Sequence, residues 1–475
     1  MEPELVDVVV VGLGVGGEEV AGRLAEAGLS VVGIERDLVG GECPYWGCVP
    51  SKMMIRAANT LAEAHRVHEF AGSARVSPDW APVAERIRAE ATDTWDDRVA
   101  VERFRNQGGR FIRGSGRLDG PGRVRVNDQV FQARHGIVLS TGTRPAAPPI
   151  TGLAETPYWT NHQAIEVARL PESLLVLGGG AIGLELTQVF ARFGVRVTVV
   201  EALDRVLATE EPESSEVVAT ALRADGVDIH TGVLADRVDH DGQKFTLRAN
   251  DVRYTADQLL VVTGRRAHLD ELGLDTVGIR ADQRFLPVDD RLRVTEGIWA
   301  VGDVTGAGAF THVATYQAGI VVADLLDRVR RSDAEGLERG QSDAGAGADP
   351  NGTAVPRANY RALPRVTFTD PEVGAVGLTE SQARQQGINV QVGSVPLGSS
   401  ARGWIHRADG LIKLVADADR GVLVGGTSVG PAGGEVLSGL AVAVHAAVPL
   451  AELRSMIYAY PTFYRAISDA LRDLG

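Results

Sequence analysis

The sequence predicts an α/β protein that contains two matching βαβ units and a smaller α+β domain. Two observations predict the paired units. Each unit has a short apolar run, a glycine-rich turn, a helical stretch and a second apolar strand that leads to a glutamate. The units begin near Asp7 and Leu174, and their glycine turns are 166 residues apart. A third observation, strands that alternate with two helices after residue 360, predicts the α+β domain.

The composition is that of a globular protein without a basic or membrane-spanning segment. The chain has 475 residues, of which 44% are hydrophobic and 23% are charged, and its formal net charge is −14. No segment approaches the ~20 apolar residues that a membrane helix needs, and the acidic N-terminus does not resemble a secretory signal. We therefore expect a cytoplasmic protein of roughly three domains that binds neither membranes nor nucleic acid.

The first glycine-rich turn is predicted to bind the pyrophosphate of FAD. Its glycines, Gly12, Gly14 and Gly17, follow an apolar strand and precede a helix. This arrangement places backbone N–H groups and the positive end of the helix dipole at the turn. Glu35 ends the second strand, where a carboxylate accepts hydrogen bonds from the adenosine ribose.

The second glycine-rich turn is predicted to bind a nicotinamide dinucleotide in the same way. Its glycines are Gly178, Gly180 and Gly183, and Glu201 ends the following strand. Glu201 stands where the 2′-phosphate of NADP would lie, and a carboxylate repels a phosphate. Arg205 is the one nearby cation, and acids surround it. NADH is therefore favoured over NADPH.

The segment between the two units contains a predicted helix, and each unit ends on a similar turn. Residues 79 to about 105 carry apolar side chains every four positions, which predicts one long helix with a buried face. A later strand ends at Thr141 and Gly142, and its counterpart in the second unit ends at Gly264. Glycine at these positions would let the backbone approach a cofactor closely.

Cysteine and lysine are both rare in this chain. The only cysteines are Cys43 and Cys48, whose spacing does not match common zinc sites. We therefore expect no metal and favour a reversible disulfide. Lysine occurs only at Lys52, Lys244 and Lys413. This scarcity favours a functional role for Lys52 over the alternative of a solvated helix residue.

The segment from Gly40 to Lys52 resembles the redox motif of the pyridine nucleotide–disulfide oxidoreductases. It reads Gly-Gly-Glu-Cys-Pro-Tyr-Trp-Gly-Cys-Val-Pro-Ser-Lys. That family includes dihydrolipoamide dehydrogenase, glutathione reductase and mercuric reductase. The likeness covers nearly the whole chain, because it includes both glycine turns and four further motifs: Thr141-Gly142, Ala300-Val301-Gly302-Asp303, Phe368-Thr369-Asp370-Pro371 and Tyr460-Pro461-Thr462.

The resemblance implies roles for the cysteine pair and its neighbours. Cys48 would lie against the flavin, and Cys43 would exchange with the substrate. A cysteine at a helix start has its thiolate stabilised by the helix dipole, which suits this chemistry. Gly41 would let the backbone approach the cofactor. Lys52 would lie beside the flavin nitrogen that accepts hydride and would pair with Glu185.

The resemblance also implies a contact to the ribityl chain of FAD and a homodimer. Asp303 would hydrogen-bond the ribityl chain, and Gly302 would allow the close approach. In the family's disulfide reductases a histidine and a glutamate near the C-terminus form the acid–base pair that serves the partner subunit. Here Tyr460 replaces the histidine and Arg465 the glutamate. A phenol with a pKa near ~10 is a poor base at neutral pH, although it can donate a proton.

Together these observations give a domain map and a function. We expect five segments: FAD-binding at 1–149, NAD-binding at 150–270, a second FAD-binding part at 271–331, a flexible linker at 332–359 and a dimerisation domain at 360–475. Electrons would pass from NADH through FAD to Cys43–Cys48, and then to a small disulfide or dithiol. Two alternatives remain open: a reductase of quinones or other small acceptors, and a non-catalytic redox sensor.

Overall fold

The computed structural model describes residues 2–338 and 355–474. The strands, in chain order, are β1 (Glu4–Val11), β2 (Val31–Glu35), β3 (Arg110–Arg113), β4 (Arg117–Leu118), β5 (Arg123–Val126), β6 (Gln129–Leu139), β7 (Thr143–Pro145), β8 (Ser173–Leu177), β9 (Arg196–Val200), β10 (Asp228–His230), β11 (Arg237–His240), β12 (Phe245–Ala249), β13 (Val252–Ala256), β14 (Gln258–Val261), β15 (Arg265–Ala267), β16 (Arg293–Thr295), β17 (Ile298–Ala300), β18 (Pro364–Thr367), β19 (Glu372–Gly377), β20 (Val390–Pro396), β21 (Leu411–Asp417) and β22 (Val422–Gly430).

The α-helices connect these strands and cover the sheets. In chain order they are α1 (Val15–Glu26), α2 (Glu42–Tyr45), α3 (Cys48–His65), α4 (Val67–Phe70), α5 (Ala81–Arg86), α6 (Arg98–Asn106), α7 (Asn161–Glu166), α8 (Ala181–Arg192), α9 (Pro212–Ala224), α10 (Thr311–Glu338), α11 (Glu380–Gln385), α12 (Ala401–His406), α13 (Gly433–His445), α14 (Leu450–Ser455) and α15 (Ala466–Asp473). Within the described ranges, no helix is both long enough and apolar enough to cross a membrane.

The chain divides into two compact units. The first comprises residues 1–48, 91–144 and 265–359, and the second comprises 49–90, 145–264 and 360–475. Residues 49–90, which we expected within the FAD-binding segment, have their contacts in the second unit. Trp80 illustrates this placement, because its Nε1 donates to the Val167 carbonyl oxygen at 2.8 Å and its ring packs against Phe190 and Phe193.

The first unit is organised around a mainly parallel sheet in the order β16-β17-β6-β1-β2-β3, with β5 on β6 and β4 on β5. Strand β1 is buried on both faces. Val8 and Val10 pack in one core with side chains of α1, whereas Val9 and Val11 pack in the opposite core with Phe131. Because successive side chains of a strand point to opposite faces, a strand covered on both sides needs an uninterrupted apolar run.

The second unit repeats this βαβ arrangement in a parallel sheet of order β10-β9-β8-β14. Helix α8 connects β8 to β9, as α1 connects β1 to β2. An antiparallel sheet of β11, β12 and β13 packs beside it, where Phe245 and Leu247 share a core with Leu175 and Leu177.

The C-terminal part of the second unit is an antiparallel sheet of order β18-β19-β22-β21-β20. Helix α13 packs on β19 and β22, while α15 packs on β20 and β21. Leu437 and Leu440 of α13 lie in the same buried cluster as Ile412 and Leu414 of β21. The predicted fold class, two nucleotide-binding-type α/β domains with a C-terminal α+β domain, is confirmed.

The long helix expected from residues 79 to 105 is interrupted. Helix α5 is followed by a π-helical turn at Ile87–Ala91 and a 3₁₀ turn at Asp93–Trp95 before α6 begins. The three residues Asp93, Thr94 and Trp95 have φ angles of 47°, 60° and 58°, and a right-handed helix cannot continue through left-handed residues. Val99, one of the apolar residues whose four-residue spacing predicted the buried face, is 55% exposed.

The expected linker at 332–359 also differs in part. Helix α10 continues to Glu338, so the first seven residues of that segment are helical. Residues 339–354 lie outside the described residues. The chain is described again from residue 355, and the Ala358 backbone N–H donates to the Asp290 carbonyl oxygen at 2.7 Å.

Candidate active site

The first glycine turn has the shape of a phosphate cradle. Gly12 has a φ of 91°, and a Cβ there would overlap the Ser140 carbonyl oxygen. A Cβ at Gly17 would overlap the carbonyl oxygen of Gly12. At Gly14, by contrast, a Cβ would meet no atom within 4 Å, and α1 begins at the next residue, Val15. The backbone is therefore tightly packed at Gly12 and Gly17 but has open space at Gly14, next to the N-terminus of α1. Such an open space at a helix N-terminus fits a dinucleotide pyrophosphate.

Glu35 has a second task that the sequence did not suggest. One carboxylate oxygen accepts the Leu13 N–H at 2.7 Å, and the other accepts the Asp37 N–H at 2.8 Å. Burial raises the pKa of this carboxyl group, and the backbone hydrogen bonds oppose that rise. Glu35 thus holds the glycine turn in place in addition to any contact with a ribose.

The second glycine turn repeats this geometry. Gly178 has a φ of 114°, a Cβ at Gly183 would overlap the Gly178 carbonyl oxygen, and a Cβ at Gly180 would meet no atom within 4 Å. Glu201 accepts the Gly179 N–H at 2.5 Å, which matches the contact between Glu35 and its own turn. The fixed glycine-to-glutamate spacing of the two units is the sequence signal that could have revealed this contact.

The Arg205 side chain forms its hydrogen bonds close to its own position in the chain. Its guanidinium donates to the carbonyl oxygens of Leu207 at 3.2 Å and Ala208 at 2.9 Å, and to the Ser215 hydroxyl at 3.1 Å. These hydrogen bonds hold the guanidinium of Arg205, which was the one nearby cation in the sequence that could neutralise a 2′-phosphate.

Thr141 and Asp303 provide polar atoms suited to a bound cofactor. Within the described part of the chain, the buried Thr141 hydroxyl has no hydrogen-bond partner. Burial raises the pKa of Asp303, while the Arg265 charge and a 3.0 Å hydrogen bond from the Thr143 hydroxyl oppose the rise. Arg265 in turn donates to the Thr143 hydroxyl at 2.8 Å and lies 3.3 Å from Glu42. The sequence did not single out this arginine.

The other predicted cofactor glycines all have left-handed backbones. The φ angles of Gly41, Gly142, Gly264 and Gly302 are 68°, 63°, 122° and 82°. A Cβ at Gly41 would lie 3.0 Å from the Cα of Gly14, so the loop that precedes the cysteines lies against the first glycine turn.

The two cysteines lie together at the start of α3. Cys48 is the first residue of that helix, where the helix dipole stabilises a thiolate. A hydrogen bond with Cys48 raises the pKa of Cys43, and burial raises it further. Thr311, which the sequence did not indicate because it is 263 residues away, places its hydroxyl 3.3 Å from Cys48 Sγ.

Lys52 lies one turn after Cys48 in α3 and contacts Glu185 as the resemblance implied. Its Nζ is 2.8 Å from the Glu185 carboxylate, which is nearly buried. The other oxygen of Glu185 accepts the Phe368 N–H at 2.8 Å, and the Phe368 ring lies under Lys52 Nζ at 4.6 Å. The ring and the carboxylate together orient the ammonium group.

Tyr460 lies on an exposed segment of the C-terminal part. It is 71% exposed, and the neighbouring Ile457 is 94% exposed. The Arg465 guanidinium lies 5.7 Å from the centre of the Tyr460 ring. Among the described residues, no group of three or more metal-ligating side chains is present.

Comparison with known proteins shows the family of this chain. Residues 6–318 match the pyridine nucleotide-disulphide oxidoreductase family, and residues 363–471 match the dimerisation domain of that family. The chain is 33% identical to dihydrolipoyl dehydrogenase of Haloferax volcanii, over 98% of this chain and 96% of the relative. It is 32% identical to mercuric reductase of Streptomyces lividans, over 98% and 95% of the two chains.

A solved structure of a flavoprotein disulfide reductase is also similar to this chain. The Cu(II) complex of the HOCl-induced flavoprotein disulfide reductase RclA from Escherichia coli has a TM-score of 0.82 and 26% identity, and the alignment covers 100% of this chain and 99% of that one. The family implies FAD and a nicotinamide nucleotide as cofactors, which the two glycine turns fit. The chain belongs to the pyridine nucleotide–disulfide oxidoreductase family, as a flavin-containing, NAD(P)H-dependent oxidoreductase.

Proposed function

We propose that this enzyme transfers electrons from NADH through FAD to the Cys43–Cys48 pair, and from that pair to a low-molecular-weight disulfide. The observation that carries the proposal is the hydrogen bond that Cys43 shares with Cys48 at the start of α3. Two thiols within hydrogen-bonding reach of each other can form and break a disulfide. The adjoining Gly41 packs against Gly14 of the first glycine turn, and this contact supports a position next to the bound flavin.

The residues that would hold FAD are those of the first unit. The Gly12–Gly17 turn would bind the pyrophosphate, Glu35 the ribose, and Asp303 the ribityl chain. FAD, when bound, accepts a hydride from the nicotinamide and delivers two electrons to the disulfide. Lys52 and Glu185 would form the charged pair beside the flavin.

In the reduced pair, Cys43 would attack the substrate and Cys48 would restore the internal disulfide. Cys43, once deprotonated, attacks one sulfur of the substrate disulfide, so that a mixed disulfide forms and the first product thiolate leaves. Cys48, stabilised as a thiolate by the helix start, then attacks Cys43 and releases the second product thiolate. The internal disulfide is restored, and both product thiolates take up protons.

The preference for NADH is supported by the surroundings of Glu201. Its carboxylate is held at the second glycine turn by the Gly179 N–H, so a 2′-phosphate would meet a fixed negative charge. Arg205 donates to Leu207, Ala208 and Ser215, and these contacts hold its charge within its own loop.

We also propose a homodimer in which Tyr460 serves the cysteine pair of the partner subunit. The dimerisation-domain match at 363–471 supports this assembly, as does the exposure of Ile457 and Tyr460. Tyr460 can donate a proton to a leaving thiolate but is a poor base. We therefore expect slow turnover of lipoamide and glutathione disulfide at neutral pH.

A three-way comparison tests the proposed function. Wild type, Tyr460→His and Tyr460→Phe are assayed with NADH and a panel of disulfides. General acid–base help is typically worth about 100- to 10,000-fold, so Tyr460→His should raise disulfide turnover strongly and Tyr460→Phe should lower it. A purified enzyme that binds FAD and oxidises NADH but turns over no disulfide in any of the three forms would refute the proposal.

The rival function is reduction of quinones or other small acceptors by the flavin. Tyr460 in place of a histidine favours it, because no thiol base is then required. The Cu(II) complex of RclA makes Cu(II) a sensible further acceptor in the same panel. Quinone turnover that survives a Cys43→Ser/Cys48→Ser double variant would identify this rival.

A further inference from the structure

Lys413 is the most buried of the three lysines, and the proposed electron path does not use it. Its side chain is 3% exposed, and its Nζ lies 2.8 Å from Glu213, 3.0 Å from Glu211 and 3.1 Å from Glu380. Burial by itself would lower the pKa of Lys413, but the hydrogen bonds to the three glutamates outweigh it, and the pKa is raised. Lys413 therefore remains a buried cation at neutral pH.

Lysine suits this position better than the arginine that the chain uses almost everywhere else. All but three of the 48 lysine and arginine residues are arginine. The ammonium group of lysine carries three donors on a flexible stem and can bond three separate partners, whereas the guanidinium donors lie in one plane in a fixed fork. Because the ammonium group of Lys413 meets three carboxylates, its contacts within the protein account for a lysine at this position.

The cluster joins the C-terminal α+β part to the loop of residues 201–211. Lys413 lies in β21 and Glu380 begins α11, whereas Glu211 immediately precedes α9. One oxygen of the buried Glu211 carboxylate accepts from Lys413 Nζ, and the other accepts the Glu380 N–H at 2.7 Å. Glu211 is thus bonded to the C-terminal part through both of its carboxylate oxygens.

Arg365 makes a second connection to the same loop at the neighbouring residue. This arginine lies in β18, which belongs to the same sheet as β21. Its Nε donates to one carboxylate oxygen of Glu210 at 2.9 Å, and its Nη2 donates to the other at 3.0 Å. A pair with two parallel hydrogen bonds fixes the direction of a carboxylate as well as its position. Two adjacent acids at the end of the 201–211 loop are therefore each held by a cation of one sheet.

The earlier part of the loop is bonded to the second glycine turn. Glu201 accepts the Gly179 N–H at 2.5 Å, and the Leu207 N–H donates to the Gly179 carbonyl oxygen at 2.9 Å. Leu207 has a φ of 46°, in the left-handed region that few residues other than glycine adopt. The Glu210 N–H donates to the Leu207 carbonyl oxygen at 2.9 Å. A displacement of Glu210 would therefore act directly on the residue that contacts the turn.

We propose that Lys413 and Arg365 are positioning residues for the nicotinamide nucleotide, which hold the 201–211 loop in the shape that binds the adenosine half of that nucleotide. They act through Glu211 and Glu210, the carboxylates that they bond, and not by contact with the nucleotide. This role requires only the nicotinamide nucleotide of the family and is independent of the acceptor that receives the electrons.

Calorimetry with NAD⁺ tests this role as an effect on binding. Two loop variants, Lys413→Met and Arg365→Gln, are titrated as oxidised, FAD-loaded enzymes, in which NAD⁺ transfers no hydride. A released loop that keeps the binding shape about one-tenth of the time should raise the apparent Kd about 10-fold. ADP-ribose, which contains the adenosine half without the nicotinamide, should show the same rise.

A matched control separates loop positioning from a general loss of stability. Lys413→Met leaves Glu211 as an unpaired buried charge, which is strongly destabilising, whereas Arg365→Gln changes a partly exposed side chain and decides the test if Lys413→Met does not fold. Asp324→Asn breaks a buried ion pair of the first unit and should keep the wild-type Kd despite its lost stability. A wild-type Kd in either folded loop variant, or an equal rise in Asp324→Asn, would overturn the proposal.

Flavin reduction at increasing NADH concentration provides the kinetic counterpart. In both loop variants the half-saturating NADH concentration should rise about 10-fold, while the limiting rate should stay within about 2-fold of wild type, because the lost interaction serves binding and not hydride transfer. The reverse pattern, an unchanged half-saturating concentration with a lower limiting rate, would also overturn the proposal. The measurement ends at the flavin, so its result is the same whether or not a disulfide is the final acceptor.

Discussion

Glu201 combines a structural role with a proposed role in nucleotide selection. It anchors the second glycine turn through the Gly179 N–H at 2.5 Å, and we propose that it also places negative charge where NADPH carries its 2′-phosphate. Glu35 makes the equivalent contact in the first unit. A substitution that keeps the hydrogen bond and removes the charge can separate the two tasks.

Glu201→Gln should weaken the preference for NADH. The amide oxygen can still accept the Gly179 N–H, while the repulsion toward a 2′-phosphate disappears. The NADH-to-NADPH ratio of flavin reduction rates should therefore fall about 10-fold. This corresponds to about 1.4 kcal/mol, which lies between the energies of two unit charges ~4 Å apart in water and near a protein surface. Stopped-flow reduction with each nucleotide measures this ratio. Glu216→Gln, at an exposed position of α9, is the control. Equal ratios in Glu201→Gln and wild type would remove Glu201 from nucleotide selection.

The two cysteines should differ in their spectroscopic effect. Because the hydrogen bond raises the pKa of Cys43 and Cys48 begins α3, two-electron reduction should leave a thiolate at Cys48. This thiolate should produce a long-wavelength charge-transfer absorbance with oxidised flavin. Cys43→Ser should keep the ability to form that band, and Cys48→Ser should abolish it. Reversed behaviour of the two variants would exchange the roles assigned here.

At the scale of elements, local patterns were predictable and long-range contacts were not. The βαβ units could be read from the sequence because a glycine turn, an apolar strand and a closing glutamate lie within 24 residues. Thr311 beside Cys48 and Phe368 under Lys52 join positions far apart in the chain, and only the folded arrangement brings them together. The turn at Asp93–Trp95 was missed because the apolar spacing continues through it, while its backbone is left-handed.

One fully buried carboxylate of helix α10 is bonded to side chains of the first sheet. Asp324 accepts hydrogen bonds from Trp299 Nε1 at 2.9 Å and from Arg293 Nε at 2.6 Å, and Arg291 lies at 3.4 Å. Burial by itself would raise the pKa of Asp324, but the bonds from Arg293 and Trp299 outweigh it, and the pKa is lowered. A lowered carboxyl pKa stabilises the fold above the ordinary carboxyl range, and this stability is lost as the pH falls through the folded-state pKa.

Asp324→Asn should therefore destabilise the protein most at neutral pH. Removing one partner of a buried ion pair costs about 3 kcal/mol. The difference from wild type should begin to shrink as the pH falls below the ordinary Asp pKa of about 4, and it should disappear only below the lowered folded-state pKa of Asp324, where the wild-type carboxylate is protonated. Denaturant unfolding across a pH series measures it. Asp327→Asn on the same helix breaks an exposed pair with Arg331 and should cost less than about 1 kcal/mol. Equal losses in the two variants would argue against a special role for Asp324.

At the scale of the whole molecule, the site is expected to be complete only in a dimer. The family's dimerisation domain matches residues 363–471. This region contains an apolar segment exposed to solvent, with Met456 42%, Ile457 94% and Tyr460 71% exposed. In a two-fold interface each such residue occurs twice, so the same segment would both hold the dimer together and deliver Tyr460.

Ile457→Asp should consequently dissociate the dimer and uncouple the two half-reactions. A two-fold interface would bury the new carboxylate twice, and burying an unpaired charge is strongly unfavourable, so sedimentation should show monomers at micromolar concentration. Disulfide turnover should fall by at least about 10-fold, because Tyr460 would no longer supply acid–base help to the partner. Flavin reduction by NADH should persist, because both glycine turns lie within one chain. Leu234→Asp, at a residue that is 72% exposed in the part of the second unit before residue 264, should remain dimeric and active. An Ile457→Asp monomer with unchanged disulfide turnover would show that each subunit works alone and that Tyr460 has no part in the partner's site.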